Sequence, residues 1–203
     1  MKKLLMLAIA ATAVAIPASA SAAEFRHGAS PASGQHDHIT GGDLGVVLGS
    51  VPGHGLHCTT THLTVEFHQS VGTIKGVTHL GCTTTSSVSQ ENNLPVDVAA
   101  VGIGVGGNWT VTPISTTQME IDGYHINNKV THPVTTHLVL AESTVTGRVL
   151  ATVNAGAITH AVLSDTADPN GVHIQFGIPP SGANSAANIS GTFTASGTID
   201  VTN

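Results

Sequence analysis

Leu63-Thr64-Val65-Glu66-Phe67-His68 alternates apolar and polar side chains one for one, and this alternation decides the fold class. Successive side chains of an extended strand point to opposite faces, so Leu63, Val65 and Phe67 share one side and Thr64, Glu66 and His68 the other. The same period returns at Met119-Glu120-Ile121-Asp122 and at His173-Ile174-Gln175-Phe176. Between these stretches lie further short runs rich in Val, Thr and Ile: Leu44 to Val51, Val71 to Leu80, Leu94 to Val105, Trp109 to Ile114, Val134 to Ala141, Thr144 to Val153, Ala157 to Leu163, Asn188 to Ala195 and Thr198 to Val201. Gly, Asn, Asp or Pro turns separate them, and the Leu, Lys, Glu and Arg content that a long helix wants is missing. The pattern predicts an all-β chain, an antiparallel sandwich or barrel of roughly ten to twelve strands. Val65, Phe67, Ile121, Val139, Ile174, Phe176 and Phe193 are the expected inward positions.

Outside this strand-rich region the chain changes character. Lys2 and Lys3 precede an apolar run from Leu4 to Ile16, then Pro17 and a string of Ala and Ser, so residues 1–23 read as a secretory signal peptide. That run of 13 residues is shorter than the roughly 20 a spanning helix requires, and no membrane span is expected. Residues 24–42 hold His27, His36 and His38 among Gly, Ser and Pro with no apolar period, and predict a flexible N-terminal arm. Residues 43–203 contain no Pro-rich or charged linker and are expected to form a single β domain, residing outside the cell.

Charge and cysteine content narrow the partners. After residue 23 only Arg26, Lys75, Lys129 and Arg148 oppose 12 acidic residues, a net of −8 with neutral His. Such a chain has no electrostatic footprint for nucleic acid or anionic lipid. Cys58 and Cys82 are its two cysteines, and an oxidising compartment pairs them; one disulfide is expected, clamping neighbouring strands.

The thirteen His residues form the sharpest chemical signal, with close pairs at His36 and His38, His54 and His57, and His132 and His137. Residues two apart on a strand share a face, so His36 and His38 suit a common Zn or Cu ion with Asp37 turned away. No complete ligand set is legible, and no cofactor is assigned. Catalytic patterns are missing: Glu66, Asp97, Glu120, Asp122 and Glu142 stand singly, no Gly-x-Ser-x-Gly elbow occurs, and Gly102-Ile103-Gly104-Val105-Gly106-Gly107 lacks a strand-turn-helix setting. A non-enzymatic protein with no catalytic residues is expected.

Several of these features occur together: the leader, Cys58-Thr59-Thr60-Thr61, Gly76-Val77-Thr78-His79-Leu80-Gly81-Cys82, Leu94-Pro95 and Trp109-Thr110-Val111-Thr112. In that combination the chain resembles the bacterial secreted β proteins of the protein activator of alkane oxidation type, the Pra type, and their actinobacterial relatives. The Leu-Pro of that group is followed by Trp, whereas Val96 follows here. The resemblance implies a secreted surface or biofilm-associated structural or interaction protein, with a hydrophobic surface or cell surface as partner and no catalytic residues. Low charge and many Thr and Val also suit self-association through exposed β edges, with the Leu44 strand as a candidate donor. The alternative reading is a His-rich exported protein that binds Zn or Cu.

Overall fold

The period-two segments become long antiparallel strands. The computed structural model describes residues 22–48, 54–103, 109–131, 139–153, 156–157, 161–165, 173–176, 185–197 and 199–203. In chain order the strands are β1 (Glu24–His27), β2 (Ser30–Pro31), β3 (Ser33–Leu48), β4 (Gly55–His68), β5 (Gly72–Thr85), β6 (Val96–Ala100), β7 (Thr110–Ser115), β8 (Gln118–Thr131), β9 (Val139–Val153), β10 (Gly156–Ala157), β11 (Ala161–Asp165), β12 (His173–Phe176), β13 (Ser185–Ala195) and β14 (Ile199–Thr202). Twelve of these have four residues or more, and β2 and β10 have two.

The pairings run in a closed circuit. β3 pairs with β4, β4 with β5, β5 with β7, β7 with β8, β8 with β9, β9 with β11 and β12, both of these with β13, and β13 with β3 again, all antiparallel. β7 lies along Gln118–Asp122 of β8 and β6 along Ile126–Val130, so the two are halves of one interrupted strand. β11 and β12 divide the gap between β9 and β13 in the same way. The result is an up-and-down barrel of eight positions, which resolves the choice between sandwich and barrel. Eight strands enclose an interior just wide enough to be filled by side chains or to hold one small ligand.

The inward face is the one that the alternation marked at Val65, Phe67, Ile121 and Phe193, all buried. The side chains of Val139, Ile174 and Phe176 lie outside the described residues. Two glycines set the geometry. Gly123 adopts φ 77° where the β8–β9 register shifts, and the bulge moves the inward set from Met119 and Ile121 to Tyr124, Ile126 and Asn128. A Cβ on Gly41 would sit 2.3 Å from the Phe193 ring, so this position of β3 has room for backbone alone.

A second sheet packs at one end of the barrel. β14 pairs with β1 and β10, and β1 with β2, forming a separate four-stranded sheet. The Phe25 amide donates to the Gln69 carbonyl at 2.7 Å, and the Phe25 and Phe67 rings meet edge-on with centroids 4.8 Å apart. The flexible arm expected over 24–42 is therefore corrected: β1, β2 and the first part of β3 occupy it. Its glycines and polar residues misled because Phe25, Ala32 and Ile39 supply its buried contacts and β4, β13 and β14 complete its backbone ladders. Asp37, in β3, is buried and accepts from the His38 amide at 2.8 Å and the Ser196 hydroxyl at 3.0 Å, tying β3 to the turn between β13 and β14.

Cys58 and Cys82 face each other directly across β4 and β5, Cα atoms 3.9 Å apart, and form the expected disulfide. The four basic residues among the described residues each contact a glutamate: Arg26 with Glu24, Lys75 with Glu66, Lys129 with Glu142 and Arg148 with Glu120. Among the described residues no helix is long and apolar enough to cross a membrane. Residues 1–21, most of the expected leader, lie outside the described residues.

Candidate functional site

The end of the barrel away from β1 and β14 holds a cavity among the described residues. There β3 ends, β4 begins, β5 ends and β8 and β9 meet, around a cavity of about 430 Å³. Val46, Leu56, Val96 and Val130 give it apolar walls, and Leu140 stands at the mouth, 42% exposed. Polar groups enter at two levels. Asn128 and Ser143 are buried in the wall, where the Asn128 amide donates to the Ser143 hydroxyl at 3.2 Å while Asn128 Oδ1 accepts no hydrogen bond. Near the rim, His54 Nε2 lies 3.5 Å from a carboxylate oxygen of Glu91. Among the described residues no lysine or arginine lines the cavity.

Asn128 occupies this position because β8, after its bulge, sends Tyr124, Ile126 and Asn128 inward in period two. Ser143 precedes Val145 on the inward face of β9, and the register that pairs Asn128 with Ser143 brings the two polar side chains together. The segment after β5 folds back over the rim: Thr84 exchanges backbone hydrogen bonds with Leu94 and Asn93, and its hydroxyl donates to the Glu91 carbonyl. Gln90, Glu91 and Leu94 are thereby held at the mouth.

Below the cavity the barrel is filled. Trp109 donates to the Val101 carbonyl at 2.9 Å and packs against Tyr124, ring centroids 4.8 Å apart. Two voids of about 20 Å³ each lie there among the described residues, one of them lined by Thr61, His79, Trp109 and Tyr124. His79 Nδ1 is 2.9 Å from the Thr61 hydroxyl, and its Nε2 is buried without a partner. Burial pushes this imidazole down to about 4 and the Tyr124 phenol above its ordinary range.

The depressed His79 value makes stability depend on pH. A histidine of ordinary pKa near 6.5 in the unfolded chain binds a proton that the folded chain refuses between pH 6.5 and about 4, so stability is complete above the unfolded value and falls as pH falls. Urea midpoints are expected to reveal a loss of about 2 kcal/mol from this group between pH 7.5 and 5. His79→Gln should flatten that part of the profile; an unchanged slope in the variant would count against a buried neutral imidazole.

Among the described residues the other histidines do not assemble. His36 and His38 are exposed on the outer face of β3 on either side of buried Asp37, the arrangement expected for them, and His38 Nδ1 is 3.4 Å from the Thr64 hydroxyl. His62 faces Thr40 at 3.2 Å, and His68 lies 3.2 Å from Glu66. Hydrogen bonding and charge from Lys75 hold the Glu66 carboxyl below its ordinary range. His54 lines the cavity, whereas His57 follows inward-facing Leu56 on the opposite face; His132 and His137 lie outside the described residues. Among the described residues no group of three or more His, Cys, Asp or Glu is placed to hold a metal ion.

The cavity residues were not singled out from the sequence. One signal pointed to them: Asn128 is a polar residue in the inward register between Ile126 and Val130. No protein-family model matches the chain, and no curated protein or solved structure shows significant similarity to it.

Proposed function

We propose that the chain is an exported, non-enzymatic interaction protein whose barrel takes up apolar small molecules in its cavity. The observation that carries this reading is the cavity of about 430 Å³ with apolar walls, at the end of the barrel opposite the sheet that contains β1 and β14. Pockets of this size suit small organic ligands, with apolar area supplying affinity and a few polar groups fixing orientation. Export is supported by the leader-like residues 1–23 and by a disulfide that an oxidising compartment favours. The cell surface or its surroundings is then the place of work, where hydrophobic material is met. A binding role is favoured over catalysis because the carboxylates of Glu66, Glu120 and Glu142 are engaged by basic residues, and among the described residues the lining holds a single imidazole, His54, at the rim.

Assembly through β edges receives less support. The Leu44 strand, expected as a donor, is the second half of β3 and is paired on both sides by β13 and β4. The separate sheet ends on β2 and β10, two residues each, too short to template another chain.

Titration of the purified mature protein with N-phenyl-1-naphthylamine, a neutral dye that brightens in apolar surroundings, tests the reading. Saturable binding at one site is expected, and Val130→Trp, which fills the cavity from β8, should weaken it at least tenfold without lowering the thermal midpoint by more than a few degrees. No saturable binding to the folded wild-type protein would overturn the reading.

A further inference from the structure

The cavity is not uniformly apolar, and its polar part is specific. Asn128 is 2% exposed and Ser143 9%, and their one mutual hydrogen bond leaves the pair incomplete: Asn128 Oδ1 accepts nothing. An amide oxygen accepts and its NH₂ donates, while a serine hydroxyl does both. Rotating the Asn128 amide by half a turn would let Oδ1 accept from Ser143 and leave the NH₂ unmatched instead, so in either orientation one end of the amide wants a partner. Buried polar groups without partners are uncommon, and each weakens the structure unless something satisfies it.

The chemistry of the missing partner follows from what surrounds it. A group that both donates and accepts matches Asn128 in either orientation, and on an organic ligand a hydroxyl is the simplest that does so. A carboxylate only accepts, and it would enter a cavity whose lining, among the described residues, holds no lysine or arginine and whose rim carries Glu91. A hydrocarbon leaves the amide as it is. Resting on the reading of the cavity as an apolar-ligand site, we infer that its ligand is a neutral, largely apolar molecule bearing a hydroxyl group, which bonds to the Asn128–Ser143 pair while its apolar body lies against Val46, Leu56 and Val130. His54 and Glu91 stand together at the mouth.

Three probes of similar shape separate the possibilities: naphthalene, 2-naphthol and 2-naphthoate, each competing with N-phenyl-1-naphthylamine on the purified mature protein at pH 7.5. A wholly apolar cavity ranks naphthalene first, because the hydroxyl must give up its water. The inferred site reverses that order: 2-naphthol should displace the dye at about tenfold lower concentration than naphthalene, with 2-naphthoate weakest. In Asn128→Leu the advantage of 2-naphthol should vanish while naphthalene binds at least as well as before. Ser143→Ala, a smaller change at the same pair, should reduce the preference if the leucine variant does not fold. Dye binding with naphthalene ahead of 2-naphthol, or an undiminished preference in folded Asn128→Leu, would overturn the hydroxyl assignment and leave the apolar-site reading standing. Failure of the dye itself to bind would remove both.

Discussion

Phe67→Ala is expected to lower stability by about 3–5 kcal/mol, the largest effect of any single substitution considered for this protein. Phe67 is fully buried near the end of β4, and its ring packs on Phe25, one of the contacts between the barrel wall and the terminal sheet. Truncation removes a large apolar surface from the core and opens a void where two layers meet, and neither layer can collapse into it without moving a ladder of strands. The loss should be visible as a lower urea midpoint. It should also be uneven, with amide exchange accelerating in β1 and β14 more than in β8 and β9, because the terminal sheet loses its anchor. Ile114→Ala is the internal control: Ile114 is 47% exposed, and its truncation should change stability by no more than about 0.5 kcal/mol. Equal midpoints for the Phe67 and Ile114 variants would show that the terminal-sheet end does not depend on this ring.

Phe67 was legible from its own neighbourhood, and the reason shows what a sequence can and cannot say here. A strand with one buried face writes that face into its own residues, as 63–68 does. β3 does not, because at Gly41 the space above the strand is filled by Phe193 from β13, so the apolar signal is carried by a partner more than 150 positions away. Such a stretch of Gly, His and Asp reads as a loop until its neighbours are known. β8 hides half of its inward face in another way. Counting by twos from Ile121 lands on Gly123 and His125, and only the bulge at Gly123 brings Tyr124, Ile126 and Asn128 inside. The cavity was the least legible feature, since it is bounded by Val46, Leu56, Val130 and Ser143 from four strands that become neighbours only when β13 pairs with β3 and closes the ring. What the sequence did carry, at Asn128, was a polar residue in an apolar register.

Replacing both cysteines by alanine is expected to lower stability by about 3 kcal/mol, and the loss should concentrate at the cavity end of the barrel. The bridge closes a separation of 24 residues, so its absence frees the unfolded chain by that loop, while the folded state loses a covalent link in the cavity half of the wall. Location matters because of how β5 is held. Along β4 its ladder runs from Gly72 to Thr85, but among the described residues its second edge is paired with β7 only at Gly72 and Thr73 and with Pro95 only at Thr83. The far half of β5 therefore depends on β4 and on the Cys58–Cys82 bridge, and Thr84 within it holds the rim segment that carries Glu91 and Leu94. In the double-alanine variant, amide exchange from Leu80 to Thr85 should accelerate before that of β1 and β14, and dye binding should weaken together with the urea midpoint. Alanine is preferred to serine because Cys58 is fully buried and a hydroxyl there would add an unmet polar group. Free thiols in the native protein, or a double variant as stable as the parent, would count against the bridge as a structural element; loss of stability spread evenly over both ends would count against its role in holding the cavity open.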